Sequence, residues 1–117
     1  MSQYAILIYE DPAFYETMTP EGWGAVVEAH DAFTKGVVEH GGSITGGGAL
    51  KPVSQALKIT AGEVSDGPFV ESKESFLGYY TVEARDLDHA IELAALAPAA
   101  GGGVELRPMH DPSAGQL

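Results

Sequence analysis

The run Gln3–Tyr9 constrains the fold most, because a strand over these residues would be apolar on both faces. Every second residue from Tyr4 to Ile8 is apolar, and so is every second residue from Ala5 to Tyr9. The aromatic run Phe76–Ala84 repeats this two-faced pattern. Strands of this kind need cover on both sides, and two helices can cover only one side of a sheet. The pattern therefore predicts a two-fold homodimer in which a second copy packs on the other sheet face. The alternative is an open ligand groove lined by tyrosines: Tyr4, Tyr9, Tyr79 and Tyr80.

Two helices are predicted between the strands. Thr19-Pro20-Glu21 is typical of a helix start, because Thr caps free N–H groups and Pro fits the first turn. Gly41-Gly42 predicts the end of this helix near Glu39. Asp86 can cap the second helix. The stripe of the first helix that should face the sheet is Trp23, Val26, Val27, Phe33 and Val37. The inward residues predicted for the second helix are Leu87, Ala90, Ile91, Ala94 and Ala97.

The remaining strands are expected at residues 43–50, 55–60, 63–65 and 104–107, with a short hairpin turn at Ala61-Gly62. The resulting order is β α β β β α β. It predicts an α+β fold of ferredoxin-like type, in which an antiparallel sheet carries two helices on one face. We expect a single domain over residues 1–109 and a C-terminal tail over residues 110–117.

Composition excludes several kinds of partner. The chain of 117 residues has 17 acidic and six basic side chains, a formal net charge of -11. Such a surface repels phosphate backbones and anionic lipid heads, so neither nucleic acid nor membrane partners are expected. No apolar run approaches the ~18 residues of a membrane span, and the first residues lack the basic flank of a signal peptide. We therefore expect a cytoplasmic location. The absence of cysteine excludes disulfides, thiolate metal sites and a cysteine nucleophile.

His30 is the first candidate for chemistry. It lies within the apolar stripe of the first helix, four residues after Val26 and three before Phe33. An imidazole withdrawn from water needs a hydrogen-bond partner, and imidazole can exchange protons near neutral pH. The alternative is a neutral core histidine that bonds a backbone carbonyl. The other histidines lack metal-ligand spacing: His40 ends a helix, His89 is predicted to face solvent and His110 is in the tail. No metal is predicted.

Asp66 is the candidate partner of His30. It opens the tetrapeptide Asp66-Gly67-Pro68-Phe69, and a carboxylate there could orient the imidazole and stabilise its protonated form. The alternative is simple turn chemistry. Glu71 and Lys73 follow closely, either as contacts to a polar substrate or as solvated charges.

The segment Val64–Glu74, which reads V-S-D-G-P-F-V-E-S-K-E, resembles the hallmark of the DGPF-domain proteins in the YCII-related family, D-G-P-F-x-E-[ST]-K-E. Agreement elsewhere extends the resemblance to about residues 3–109. The resemblance implies a dimeric α+β barrel of two ferredoxin-like halves with facing sheets. It also implies a pocket in which a His and an Asp meet, here His30 and Asp66. Two positions depart from the family pattern: Gly48 replaces a frequent Glu, and Leu77 replaces a frequent Gly.

Two functions follow from the residues and the resemblance. The first is a small-molecule enzyme without a cofactor, in which His30 is the general acid or base, Asp66 orients it, and Glu71 or Lys73 contacts substrate at the rim of a cleft. Its reaction would be of lyase, isomerase or hydrolase type. The second is a noncatalytic ligand-sensing or interaction module. Because the family occurs beside extracytoplasmic-function sigma factors, a sigma factor would be its partner. The apolar walls of its cleft would be Tyr79, Tyr80 and Trp23.

Overall fold

The computed structural model describes residues 1–111. The elements in chain order are β1 (Ser2–Glu10), α1 (Ala13–Glu16), α2 (Pro20–Glu39), β2 (Ser43–Ala49), β3 (Leu57–Thr60), β4 (Glu63–Asp66), β5 (Ser75–Ala84), α3 (Leu87–Ala94) and β6 (Gly102–Pro108). The predicted order is confirmed. The prediction lacked the four-residue helix α1 and a 3-10 turn at Val53–Gln55.

Four of the strands form one antiparallel sheet in the order β2-β5-β1-β6. This order, with α2 and α3 packed on one face, is the predicted ferredoxin-like α+β fold. Within the described residues, strands β3 and β4 pair only with each other and form a separate hairpin. The fold prediction is therefore confirmed for the protomer.

The core lies between the sheet and the two helices. Alternate residues of β1 from Tyr4 to Ile8 are buried, as are Phe33 and Val37 of α2. Burial of a side chain of this size stabilises a fold by about 1.5–3 kcal/mol. The intervening residues of β1 from Ala5 to Tyr9 lie on the other sheet face, which no element of residues 1–111 covers completely, and each is partly exposed.

Both predicted helix caps form. The Thr19 hydroxyl accepts a hydrogen bond from the Gly22 N–H at 3.1 Å, and the Asp86 carboxylate accepts one from the His89 N–H at 2.9 Å. Gly41 ends α2 with a φ of 81°, a left-handed conformation that glycine adopts without strain.

The buried face of α3 differs from the prediction. Leu87 and Ile91 are about half exposed, at 50% and 51%, and His89 is buried at 2%. The prediction that the two aliphatic residues face inward was wrong, and so was the solvent-facing position of His89. The reason is a pair of hydrogen bonds: His89 Nδ1 accepts from the Arg85 N–H at 3.0 Å, and Nε2 therefore donates to the His40 carbonyl at 2.6 Å.

The stripe of α2 also divides into two parts. Phe33 and Val37 are buried as predicted, but Trp23 and Val27 are 49% and 58% exposed. The first half of α2 does not seal against the sheet, so the two residues near its start border open space instead of the core. This space is the cleft described below.

Two further expectations concern the ends of the chain and the membrane. Residues 112–117 of the predicted tail lie outside the described residues. Within residues 1–111, no helix has both the length and the apolar character needed to cross a membrane.

Candidate functional site

A cleft of about 840 Å³ opens beside the core, between the first half of α2 and the end of the sheet. Its walls come from the end of β1, from α1, from β5 and from the segment between Gly48 and Ser54. His30 lies on its α2 wall and Tyr80 on its β5 wall. This volume is in the range of small-molecule sites.

His30 and Tyr80 form the central polar contact of the cleft. The His30 Nδ1 atom lies 2.6 Å from the Tyr80 hydroxyl oxygen. The Tyr80 ring is held from the other side by Phe33, with ring centroids 4.7 Å apart. Burial raises the pKa of the Tyr80 phenol, and the negative charge of Asp31 raises it further. The phenol therefore keeps its proton and remains a hydrogen-bond donor.

This contact allows His30 either to donate a proton to a ligand or to accept one from it, through its Nε2 atom. When the Tyr80 hydroxyl donates to Nδ1, the neutral His30 ring carries its proton on Nε2 and can donate it. When Nδ1 donates to the phenol oxygen, Nε2 has a free lone pair and can accept a proton. The neighbouring Asp31 side chain lines the same cleft.

A second polar pair lies deeper in the cleft. Glu10, only 4% exposed, accepts a hydrogen bond from the Tyr15 hydroxyl at 2.7 Å. Burial raises the pKa of the Tyr15 phenol, and the hydrogen bond and charge of Glu10 raise it further. Trp23 stacks on the Tyr15 ring, with centroids 5.4 Å apart and planes at 29°. The cleft thus combines a buried carboxylate with an aromatic wall.

The sequence analysis missed Glu10, Tyr15 and Asp31. The signal for Glu10 was present, because the alternation that buries Tyr4, Ile6 and Ile8 places Glu10 on the same face. Asp31 directly follows His30 on α2. Tyr15 had no such signal, since the helix α1 that positions it was not predicted.

Asp66 does not lie in this cleft. It is exposed at the end of β4, opposite Leu57 in the separate hairpin. The hydrogen bond of the His30 ring within residues 1–111 is made to Tyr80 instead, so the predicted His30–Asp66 pair is not formed within the protomer. The physical reason is that β4 pairs only with β3 and does not join the sheet that carries Tyr80.

The other predicted substrate contacts are divided among several places. Trp23, Tyr79 and Tyr80 all line the cleft. Tyr79 and Tyr80 are neighbours on β5, so their side chains point to opposite sheet faces, and Tyr79 lies opposite Leu7 on the open face. Glu71 lines a different groove, beside the hairpin. Lys73 is exposed and lines neither of these two depressions of the described chain.

Both positions that depart from the family pattern border the cleft. Gly48 and Leu77 contribute to its lining. A Cβ atom at Gly48 would meet the Tyr79 ring at 3.6 Å, an ordinary contact distance, so the glycine is not required by packing. Leu77 therefore adds an aliphatic residue to the cleft lining, whereas a side chain at position 48 would lie beside the Tyr79 ring.

No metal centre is evident in the part of the chain that the structure describes. No group of three or more His, Cys, Asp or Glu side chains there could hold an ion.

Comparison with known proteins identifies the family. The family model of the YCII-related domain matches residues 2–111. An uncharacterized protein of Rhizobium meliloti (strain 1021) is 33% identical over an alignment of 121 positions. The alignment covers 97% of this chain and 97% of that protein. The resemblance drawn from the DGPF segment is thereby confirmed over nearly the whole chain. The chain belongs to the YCII-related domain family.

Proposed function

We propose that the protein binds a small molecule in the His30 cleft and transfers a proton to or from it. The observation that carries this proposal is the 2.6 Å contact between His30 Nδ1 and the Tyr80 hydroxyl at the wall of a cleft of about 840 Å³. His30 is the general acid or base, and Tyr80 replaces Asp66 as the group that orients it. No cofactor is needed for this step.

The environment of the pair favours this role over a purely structural one. His30 is only half-buried, so a ligand in the cleft can reach its ring. Tyr80 is held by Phe33, which fixes the position of the hydroxyl without blocking the histidine. A histidine needed only for stability would resemble His89, which is buried and bonded at both nitrogens.

The test uses 5-nitrobenzisoxazole as the probe of proton removal. A base takes the C–H proton of the isoxazole ring, that electron pair forms the nitrile as the N–O bond breaks, and a coloured phenolate that carries the nitrile is released. We expect wild type to accelerate this reaction and His30→Gln to lose about 10²-fold of the acceleration, in line with general acid–base catalysis. Tyr80→Phe should lose part of it. His40→Gln is the matched control, because His40 is an exposed histidine at the end of α2.

Two outcomes oppose the proposal. Equal rates for wild type and His30→Gln would remove the acid–base role of His30. Ligand binding that survives the His30→Gln exchange without any turnover would instead favour the noncatalytic ligand-sensing role, with a sigma factor as the partner to be sought by co-purification. Thermal melting of His30→Gln and Tyr80→Phe checks that the fold is intact. Loss of the partly exposed hydrogen bond between His30 and Tyr80 should lower the free energy of unfolding by only about 1 kcal/mol.

We also infer that two copies assemble through the open sheet face. The partly exposed Leu7 lies opposite Tyr79 on that face, and Tyr9 packs against Phe76 with ring centroids 5.5 Å apart. The protomer is flat, at 43 × 38 × 18 Å, and its radius of gyration of 15.8 Å exceeds the ~13 Å typical of a compact domain of this length. A second copy on this face would give the dimeric α+β barrel that the family resemblance implies.

A further inference from the structure

We propose that the His30 cleft selects ligands that carry a positive charge next to an aromatic or apolar group, such as small aromatic amines. This inference rests on the proposed ligand-binding function of the same cleft and adds the chemical class of the ligand. It is carried by three features of the cleft lining: its charged side chains, the burial of one carboxylate and the aromatic stack.

The charged residues of the lining are of one sign. Three acidic side chains border the cleft, Glu10, Glu16 and Asp31, and no lysine or arginine of the described chain does. Among the described lining residues, His30 alone can become positively charged, and its Nδ1 atom already bonds the Tyr80 hydroxyl. The acidic surface of the whole protein, with a net charge of -11, adds to the negative potential at the cleft mouth.

Glu10 is the acidic residue of the lining that should favour a cationic ligand most. Glu10 as a residue is 4% exposed, and the hydrogen bond that its carboxylate accepts comes from Tyr15, a neutral phenol. No ion pair of Glu10 is formed within residues 1–111. A carboxylate withdrawn from water without a cation is costly, and a ligand cation that enters the cleft would supply the missing charge.

The aromatic wall suits the same ligand. Trp23 is 49% exposed, lines the cleft and stacks on Tyr15, the residue whose hydroxyl bonds Glu10. The faces of aromatic rings attract cations, and Trp does so most strongly. A cationic ligand therefore gains from the ring and from the carboxylate together, whereas an anion would be repelled by both.

The test compares three benzene-ring probes of similar size and different charge: 2-phenylethylamine, 2-phenylethanol and phenylacetate. Trp23 is the single tryptophan of the chain, so its fluorescence reports directly on the cleft wall. We expect the amine to bind about tenfold or more tighter than phenylacetate, with the neutral alcohol between them. Added salt should narrow this difference.

Variants locate the selectivity. Glu10→Gln keeps the side-chain shape and an oxygen acceptor for Tyr15, and should weaken amine binding about tenfold while leaving the alcohol unchanged. Glu39→Gln is the matched control, because it changes the net charge equally at a position outside the cleft lining. If Glu10→Gln does not fold, Asp31→Asn at the exposed rim replaces it, with a smaller loss in the same direction.

The results separate this inference from the proposed function. Equal affinities for the three probes, or tightest binding of phenylacetate, would overturn charge selection and leave ligand binding intact. Equal losses of amine affinity in Glu10→Gln and Glu39→Gln would also overturn charge selection. If none of the three probes changes Trp23 fluorescence saturably, selection of aromatic amines is overturned, and the proposed function is then decided by the ring-opening assay alone. The His30-dependent ring opening is measured independently of all these titrations.

Discussion

The sharpest test of the fold is the removal of the His89 side chain. In His89→Ala the Arg85 N–H loses its acceptor at 3.0 Å, and the His40 carbonyl loses its donor at 2.6 Å. Each buried backbone group left unpaired costs about 1–3 kcal/mol. Arg85 and His40 are themselves exposed residues, so water can reach part of the space, and the lower half of this range applies. The two losses sum to about 2–4 kcal/mol.

This cost should be visible in thermal and urea denaturation followed by circular dichroism. At about 4 °C per kcal/mol for a domain of this size, the melting temperature should fall by about 8–16 °C. His89→Gln, which keeps one donor and one acceptor, should recover part of the loss. His40→Ala is the matched control: it removes an exposed imidazole that bonds the Gly36 carbonyl at 2.7 Å and lies 3.9 Å from Glu92. It leaves the His40 carbonyl in place, so it should cost about 1 kcal/mol or less. Unchanged melting of His89→Ala would refute the reasoning.

Two further predictions concern the open sheet face and the Tyr15 phenol. Leu7→Glu places a charge opposite Tyr79 and should convert dimers to monomers, as measured by light scattering at micromolar concentration. The control Ile91→Glu, on α3, should leave the dimer intact. A monomeric wild type would contradict the proposed assembly. Tyr15→Phe removes the bond to Glu10 and should lower the free energy of unfolding by about 1 kcal/mol near neutral pH. Because the folded-state pKa of Tyr15 is raised above its ordinary 10.0, its contribution is complete below pH 10.0 and is lost as the pH rises further, so urea titrations should show the deficit of the variant shrinking above that pH.

The elements of the fold were predictable where local chemistry is sufficient. Thr19 and Asp86 cap their helices as the sequence indicates, and β1 alternates as expected. The buried face of α3 was not predictable from apolar periodicity, because a polar residue lies on it. His89 enters the core through partners 49 and four residues away in sequence, and hydrophobicity does not report such partners.

The candidate site was predictable by residue but not by pairing. The position of His30 within an apolar stripe indicated a histidine beside the core, and the structure places it there. Its partner depends on which strands join the main sheet. Asp66 and Tyr80 were both candidate site residues, but β4 forms a separate hairpin and β5 is the neighbour of β1. The pairing of β5 with β1 therefore decides that His30 bonds Tyr80, which is 50 residues away in sequence.

The cleft arises where the core stops on three elements at the same end. On β1 the buried face runs from Ile6 through Ile8 to Glu10, and on the antiparallel β5 it runs from Val82 to Tyr80 in the same direction in space. Gly78 lies opposite Ile8 and contributes no side chain, so the sheet leaves room beside the part of α2 that carries Trp23 and Val27. His30 lies one turn before the buried Phe33 on that helix, just as Tyr80 lies two residues before Val82.

Glu10, Tyr80 and His30 are therefore each the next residue in a period that packs the core. The same side chains that fix the core, Phe33 above all, also fix the groups of the cleft, since the Phe33 ring contacts Tyr80 directly. A group held in this way can meet a ligand without a costly rearrangement, which is the condition for efficient proton transfer. The cleft and its polar groups therefore arise at this end of the sheet because the buried faces of β1, β5 and α2 continue into polar residues, and because Gly78 leaves space beside them.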